Sequence, residues 1–170
     1  MYKIVYYGDK RLTTENEKIK HIDDTVRKQV KKMIRTMFNK KGIGLAAPQV
    51  GINKRIVVID TSFGEDKEHI LVLFNPEVVT KSTETNVMEE GCLSFPELYI
   101  PVERAQSITV RALTLDGKDV EFEAHDFFAR VIQHETDHIN GVLMVDRVSP
   151  DKRLEVSGEL AEIKKMAEIV

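Results

Sequence analysis

The sequence predicts an α+β fold: mainly antiparallel short strands in small sheets around a central helix that carries two histidines, with an amphipathic helix near the N-terminus and another helix at the C-terminus. Apolar residues recur at helical spacing in three separate segments, whereas residues 55–124 contain short runs of valine, isoleucine and leucine. These runs do not alternate with helical patterns, as a parallel sheet would require. With 170 residues, 42% of them hydrophobic, the chain suits one domain spanning residues 1–170.

The N-terminal part predicts a short strand over residues 3–7 and then an amphipathic helix over residues 24–41. Asp23 or Asp24 would cap the start of this helix, and Gly42 would end it. One face carries the apolar residues Val26, Val30, Met33, Ile34, Met37 and Phe38. The other face carries Arg27, Lys28, Lys31, Lys32 and Arg35. We interpret this basic face as solvated rather than as a nucleic-acid site.

The middle of the chain predicts strands. The apolar runs 55–60 and 70–74 are the densest, and 78–79 and 87–88 are weaker. Residues 107–115 and 120–124 flank an Asp-Gly pair, which predicts a hairpin. After the histidine segment, residues 142–145 predict a brief strand, and residues 151–169 predict a last helix with the apolar stripe Val156, Leu160, Ile163 and Ala167.

Composition limits the functional classes. The net charge is −3 and charged residues make up 31% of the chain, so no strongly charged polymer is implied as partner. We found no signal-peptide pattern and no stretch of about 18 apolar residues, so we expect a cytoplasmic protein without membrane or DNA partners. The single cysteine excludes an intramolecular disulfide and fits a reducing compartment.

The most informative motif is a pair of histidines, His134 and His138, with Glu135 directly after the first. On a helix, four residues advance about 6 Å and return to nearly the same face, so both imidazoles can bind one divalent metal. Glu135 would then reach the edge of the site, where it can take a proton from a metal-bound water. Two partly buried histidines without a metal are the simpler alternative. The apolar residues Phe127, Phe128, Val131 and Ile132 and the stop signal at Gly141 favour a buried helix and thus the metal site.

A catalytic metal site needs a third protein ligand, because three ligands and a water are the usual arrangement. Cys92, in the segment Glu89-Glu90-Gly91-Cys92-Leu93, is one candidate. Alone, a single cysteine is more often a small buried hydrophobic residue. A thiolate and two imidazoles would leave a tetrahedral position open, whereas aspartate or glutamate ligands elsewhere have no spacing that favours them.

The third segment, residues 41–51, is rich in glycine and alanine, so another chain can approach its backbone closely. A phosphate-binding loop is the obvious rival, but the lysine and hydroxyl residue of such a loop are absent from the required positions. Gln49 is the one polar side chain of residues 42–51, and its amide can donate to an oxyanion beside a metal.

Together the three segments resemble the peptide deformylase family. The family's motifs Gly-Ile-Gly-Leu-Ala-Ala-x-Gln, Glu-Gly-Cys-Leu-Ser and Gln-His-Glu-x-Asp-His stand here at residues 42–49, 90–94 and 133–138. The resemblance covers essentially the whole chain. It implies a hydrolase of protein biosynthesis that removes the N-formyl group from the initiator methionine of nascent polypeptides and releases formate. It also implies a transient contact with the ribosome.

The resemblance implies a role for each matching residue. Cys92, His134 and His138 would bind one divalent metal ion, Fe²⁺ in the cell, which Zn²⁺, Ni²⁺ or Co²⁺ could replace. A metal-bound water would be the nucleophile and Glu135 the general base and acid, while Gln49 and the backbone N–H of Leu93 would hold the formyl oxygen. The residues expected to contact the substrate are Ile43, Gly44, Gly91, Tyr99, Val131 and Ile132. Glu90 is expected to pair with Arg104, and Asp137 either orients a neighbouring group or stabilises the helix.

Two departures from the family pattern affect these expectations. Tyr99 stands where many relatives place an arginine that faces the substrate. The last helix is nearly neutral, with five acids against four bases in residues 151–170, whereas some relatives dock on the ribosome through a basic C-terminal helix. A ribosome contact would therefore fall to the basic first helix. The alternatives to a deformylase are a metallo-endopeptidase and a catalytically inactive, metal-stabilised binding protein.

Overall fold

The computed structural model describes residues 1–66 and 69–169. Within these ranges the chain forms four helices: α1 (Asp24–Asn39), α2 (Asp126–Ile139), α3 (Pro150–Glu155) and α4 (Ser157–Ile169). It also forms seven strands: β1 (Gly44–Ala46), β2 (Ile56–Asp60), β3 (Ile70–Lys81), β4 (Thr85–Cys92), β5 (Phe95–Ala105), β6 (Ser107–Leu113) and β7 (Asp119–His125). None of the helices in this part of the chain is long and apolar enough to cross a bilayer.

The strands form two antiparallel sheets, which confirms the predicted α+β class. The larger sheet has the order β1-β2-β3-β6-β7, and β4 pairs with β5 in a separate hairpin. Helix α2 packs on the larger sheet through Ala129, Ile132 and Ile139, which join the buried side chains of β2, β3 and β6. On its other side Arg130 donates to the carbonyl of Val102 in β5. The helix therefore lies between the sheets, where its histidines meet the end of β4.

Helix α1 forms as its pattern predicts. The side chain of Asp23 caps it by accepting a hydrogen bond from the N–H of Val26 at 2.9 Å. The helix ends at Asn39, two residues earlier than predicted, because Lys41 takes a left-handed conformation (φ 58°) and the N–H of Gly42 donates back to the carbonyl of Met37. The chain then turns directly into β1.

Three local predictions are wrong. Residues 3–7 form no strand. The N–H of Val5 donates to the carbonyl of Gln49 and that of Tyr7 to the carbonyl of Ser94, so this segment bonds to two different parts of the chain instead of pairing with one strand. Residues 144–147 form a 3₁₀ turn, with Met144 and Val145 buried, in place of the brief strand. The last helix is interrupted at Val156, which separates α3 from α4.

Strand lengths also differ from the prediction. The runs 70–74 and 78–79 belong to one strand, β3, whose pairing with β6 shifts register at two irregularities. Strand β5 was not predicted, and it contains Pro96 and Pro101, residues that are uncommon within strands. They are tolerated here because β5 belongs to a two-stranded sheet rather than to the interior of a larger one.

Candidate metal centre

Cys92, His134 and His138 meet at one point. Cys92 ends β4, and the two histidines lie one turn apart on α2, so their side chains converge across the gap between hairpin and helix. Their ligand atoms all lie within 4.8 Å of one another, and Sγ of Cys92 is 3.3 Å from Nε2 of His138. A thiolate and two imidazoles fit a tetrahedral Zn²⁺ or Fe²⁺ site with one open position. The structure thus brings together the three residues predicted as ligands.

Glu90 holds the first histidine in place. Its carboxylate lies 2.8 Å from Nδ1 of His134 and accepts hydrogen bonds from Arg104 (2.8 and 2.9 Å) and Arg130 (2.6 Å). Burial acts to raise the pKa of Glu90, but the bonds from Arg104 and His134 outweigh it and hold the pKa well below the usual range. The carboxylate is therefore ionised and can only accept, so Nδ1–H of His134 donates to it and Nε2 is the nitrogen that is left to bind a metal. The predicted pairing of Glu90 with Arg104 is confirmed.

The ion pairs continue to the far side of α2 through Asp137. This carboxylate accepts from Arg104 at 2.6 Å and from two nitrogens of Arg147 at 3.0 and 2.7 Å. Asp137 thus orients neighbouring arginines, the first of the two roles predicted for it. Arg147 is the exposed end of this network, with 39% of its side chain accessible, whereas the Arg104 side chain is 4% accessible.

Glu135 is buried beside the histidines and has a free oxygen. Its Oε1 lies 4.0 Å from Nε2 of His134, and its Oε2 makes no hydrogen bond within the described residues. Burial is the main reason that its pKa is raised to about 7, an effect that His134 opposes and Glu90 reinforces. A carboxylate with this pKa can both take and return a proton near neutral pH.

Gln49 points its amide nitrogen at the cysteine. It lies in the 3₁₀ turn Ala47–Val50, where its Oε1 accepts from the N–H of Ala46 at 2.9 Å. This bond fixes the orientation of the amide, so Nε2 lies 3.3 Å from Sγ of Cys92 and 3.2 Å from Oγ of Ser94. Sequence reasoning missed the contact with Ser94, although this serine stands within the cysteine motif.

A cavity of about 580 Å³ opens over these groups. Ten of the twelve residues predicted for the site line it: Ile43, Gly44, Gln49, Gly91, Cys92, Leu93, Tyr99, Val131, His134 and Glu135. Ile132 does not, which corrects one prediction: it is 1% exposed and packs against the larger sheet, because it lies about 100° further around α2 than Val131. Sequence reasoning missed Phe127 as a lining residue, although it precedes Val131 by four positions and therefore shares its face.

Two glycines allow the close contacts of this cavity. A Cβ atom on Gly44 would lie 2.9 Å from Oε1 of Glu135, so β1 can pass the carboxylate only without a side chain. A Cβ atom on Gly91 would lie 2.6 Å from the ring of Tyr99. That ring covers the backbone of Gly91, although 66% of Tyr99 remains exposed at the rim.

A larger open cleft of about 990 Å³ lies on the other side of α2. Its lining includes Lys81, Thr136, Asn140 and Arg147, and none of its lining residues is a cysteine or a histidine. It therefore lacks the metal-binding groups of the smaller cavity, and we place the chemistry in the latter.

Known proteins resemble the chain over nearly its whole length. A family model for polypeptide deformylases matches residues 1–154. The peptide deformylase of Thermotoga sp. (strain RQ2) is 43% identical over 165 residues, which cover 97% of this chain and 98% of that protein. The peptide deformylase of Pseudoalteromonas translucida is 44% identical over 166 residues, 98% of each protein.

Solved structures agree with the sequence relatives. A peptide deformylase from Plasmodium falciparum superposes with a TM-score of 0.93 at 33% identity and covers 99% of this chain and 98% of that one. One from Legionella pneumophila gives a TM-score of 0.89 at 38% identity, with 98% and 96% covered. Sequence, fold and the arrangement of Cys92, His134 and His138 thus agree, and the chain belongs to the polypeptide deformylase family.

Proposed function

We propose that this protein removes the N-formyl group from the initiator methionine of nascent polypeptides in the cytoplasm and releases formate. The observation that carries the proposal is the buried Glu135, whose free carboxylate oxygen lies beside the convergent ligand atoms of Cys92, His134 and His138. As a family member, the chain is a metal-dependent deformylase. The reaction, its proton transfers and the roles of individual residues are our assignment.

Cys92, His134 and His138 would hold the metal ion. Soft thiolate and imidazole ligands favour Fe²⁺, Zn²⁺, Ni²⁺ or Co²⁺ over Mg²⁺ or Ca²⁺, which prefer oxygen ligands. Fe²⁺ is our choice for the cell, by analogy with the family. When bound, the ion would lower the pKa of a water from about 15.7 to about 7 and polarise the formyl carbonyl.

Glu135 would move the proton. In the first step its carboxylate takes a proton from the attacking water, and in the second it gives that proton to the leaving amine of methionine. Its pKa of about 7 suits both directions, because a group that must first accept and then donate works best near the ambient pH. Burial excludes bulk water as a competing proton source.

Gln49 and Leu93 would stabilise the oxyanion that forms when water attacks the formyl carbon. Nε2 of Gln49 is already directed at the site by the bond that its Oε1 accepts from Ala46. The backbone N–H of Leu93 follows Cys92 directly and would supply the second donor. Donors that are fixed before the reaction need no reorganisation as charge develops.

The cavity would bind the peptide in extended form. Strand β1 is an edge of the larger sheet, so the backbone at Ile43 and Gly44 can pair with a peptide strand on one side, and Gly91 in β4 can do so on the other. Val131 would contact the methionine side chain. Tyr99 would contact later residues of the substrate at the rim, where it offers an aromatic ring instead of a charge.

Formate release tests the proposal. The protein is purified anaerobically, its metal content is measured, and it is given formyl-Met-Ala-Ser, acetyl-Met-Ala-Ser and a peptide with an unmodified internal bond. We expect formate from the first peptide only, and none from Glu135→Gln protein with the same metal content. Cleavage of the internal bond would favour a metallo-endopeptidase. Fully metallated protein that releases no formate would overturn the proposal.

A further inference from the structure

Helix α1 carries an exposed strip of positive charge, which we call the basic face. It comprises Arg27, Lys28, Lys31, Lys32 and Arg35 on the helix, and it continues into Lys40 and Lys41 after the helix ends. Residues 24–41 thus hold seven of the 25 lysines and arginines but only one of the 28 aspartates and glutamates. The rest of the chain has 18 bases against 27 acids, so the positive charge is concentrated on one side of an otherwise acidic protein.

The charges of the basic face are not neutralised by acidic side chains of the described residues, although Arg27 donates weakly to the carbonyl of Leu115 and Lys32 lies over the ring of Tyr2. None of its seven cations lies within 4 Å of a carboxylate oxygen in the described part of the chain. By contrast, Lys152 and Lys165 on the C-terminal helices pair with glutamates three residues away. Like charges four residues apart on a helix repel one another, so the face is destabilising unless an external anion neutralises it.

The geometry of the face suits a regular polyanion. Arg27, Lys31 and Arg35 form one row along the helix with steps of about 6 Å, and Lys28 and Lys32 form the neighbouring row. Lys40 and Lys41 extend the strip to the rim of the active-site cavity, which they help to line. The face can therefore contact several phosphates of one backbone at once and leave the cavity mouth next to the contact.

A membrane surface fits this face poorly. A helix that lies on a bilayer inserts apolar side chains, but the apolar residues of α1 are buried in the core, including Val30, Met33 and Met37. None of the large exposed apolar residues belongs to α1. One of them, Met1, is near it, because the next residue, Tyr2, donates its N–H to Thr36, but a single side chain gives little insertion.

We propose that the basic face of α1 docks on the phosphate backbone of double-helical RNA, which replaces our interpretation of this face, from the sequence alone, as solvated. The deep, narrow major groove of an RNA duplex keeps side chains away from the base edges, so these cations would contact phosphates and the binding is expected to be independent of sequence. The choice of RNA rests on the proposed function, since nascent chains emerge from a particle whose surface is largely folded RNA. Docking through α1 would hold the cavity mouth, marked by Lys40 and Lys41, close to that surface.

The test is the binding of a fluorescent 20-base-pair RNA duplex to the metal-loaded protein, measured by anisotropy between 50 and 200 mM KCl. The variant Lys28→Glu/Lys31→Glu/Arg35→Glu changes three exposed side chains. We expect it to weaken binding by at least about 30-fold at 100 mM salt and to reduce the slope of log K against log salt by about 3. The matched control, Lys152→Glu/Lys164→Glu/Lys165→Glu, changes the net charge equally and should alter affinity by less than about threefold.

Three results would overturn the proposal. They are no RNA binding by the wild-type protein at 50 mM salt, equal losses in the two triple variants, and binding to anionic phosphatidylglycerol vesicles without binding to RNA. Turnover of formyl-Met-Ala-Ser should be unchanged in both variants, because none of the six residues touches the site. RNA binding is measured without peptide, so a failure of docking and a failure of the deformylase assignment are seen separately.

Discussion

Nδ1 of His134 lies 2.8 Å from the carboxylate of Glu90, and two arginines hold that carboxylate from other sides. The histidine is therefore fixed in tautomer and orientation by the protein itself. Glu90 is in turn linked through Arg104 and Asp137 to Arg147 at the surface. The position of a metal ligand thus depends on residues that do not touch the metal.

We expect Arg147→Ala to weaken metal binding although this residue does not line the active-site cavity. Loss of its bidentate bond would leave Asp137 held by Arg104 alone, so Arg104, Glu90 and His134 could move more easily. Loss of such an outer partner typically costs about 10- to 100-fold in metal affinity; we expect about 10-fold, because Arg104 remains. Competition with a chelator measures the metal affinity of the variant and of the wild-type protein. Arg153→Ala removes an exposed pair with Asp146 and long bonds to Val145 and Tyr7, none of which involves Asp137 or Glu90, and should leave metal affinity unchanged.

Glu135→Gln should stabilise the metal-free protein at high pH. The pKa of Glu135 is raised to about 7 in the folded state from 4.5, so its contribution to stability is fully present below pH 4.5 and is lost as the pH rises through 7. Glutamine has no charge to bury, so the variant should gain up to about 3 kcal/mol at pH 8 and almost nothing near pH 4.5. Urea unfolding with a chelator present measures both values. Equal differences at the two pH values would contradict the burial effect.

Gln49→Ala should lower kcat by about 10²–10³-fold with little change in KM, because the amide donates to a charge that develops only during the reaction. Metal content is measured alongside, since Nε2 also contacts Sγ of Cys92. Ser94→Ala removes the other partner of the same nitrogen and serves as the control. A comparable loss in Ser94→Ala would mean that positioning of the amide, rather than its donation, limits the rate.

Gly44→Ala should reduce kcat at least about 10-fold while the metal stays bound. Its new Cβ would lie 2.9 Å from Cγ and Oε1 of Glu135 and would displace the carboxylate. Gly158→Ala is the matched control, because nothing lies within 4 Å of a Cβ at that position. Unchanged turnover in Gly44→Ala would show that the exact position of Glu135 is unimportant.

The sequence predicted the features that depend on spacing within one segment. The periodicity of α1, the hairpin between β6 and β7, and the shared face of His134 and His138 follow from the geometry of single elements. The role of Cys92 as a metal ligand could be predicted only from the longer motif around it, because a single cysteine has no periodicity. The order of strands in the larger sheet was not predicted, since it depends on contacts between distant segments.

The ion pairs behind the site show this limit most clearly. Arg130 bonds to Glu90 across 40 positions, and nothing in the local pattern of α2 distinguishes it from a solvated arginine. Ile132 was wrongly predicted to line the substrate cavity. Its apolar character predicts that it is buried, but not whether it faces the cavity or the larger sheet, and it faces the sheet. Both outcomes are decided by the packing of α2 between the two sheets.

The bonds that Arg104 and Arg130 make to Glu90 also bear on the order in which the protein folds and binds its metal ion. These bonds form between amino acids alone, so we expect the polypeptide to fold before any ion binds, unlike small zinc domains that are unfolded without their ion. Metallation is then a late and reversible step of maturation. We expect a molecule stripped of its ion by a chelator to keep its fold and to bind a new ion.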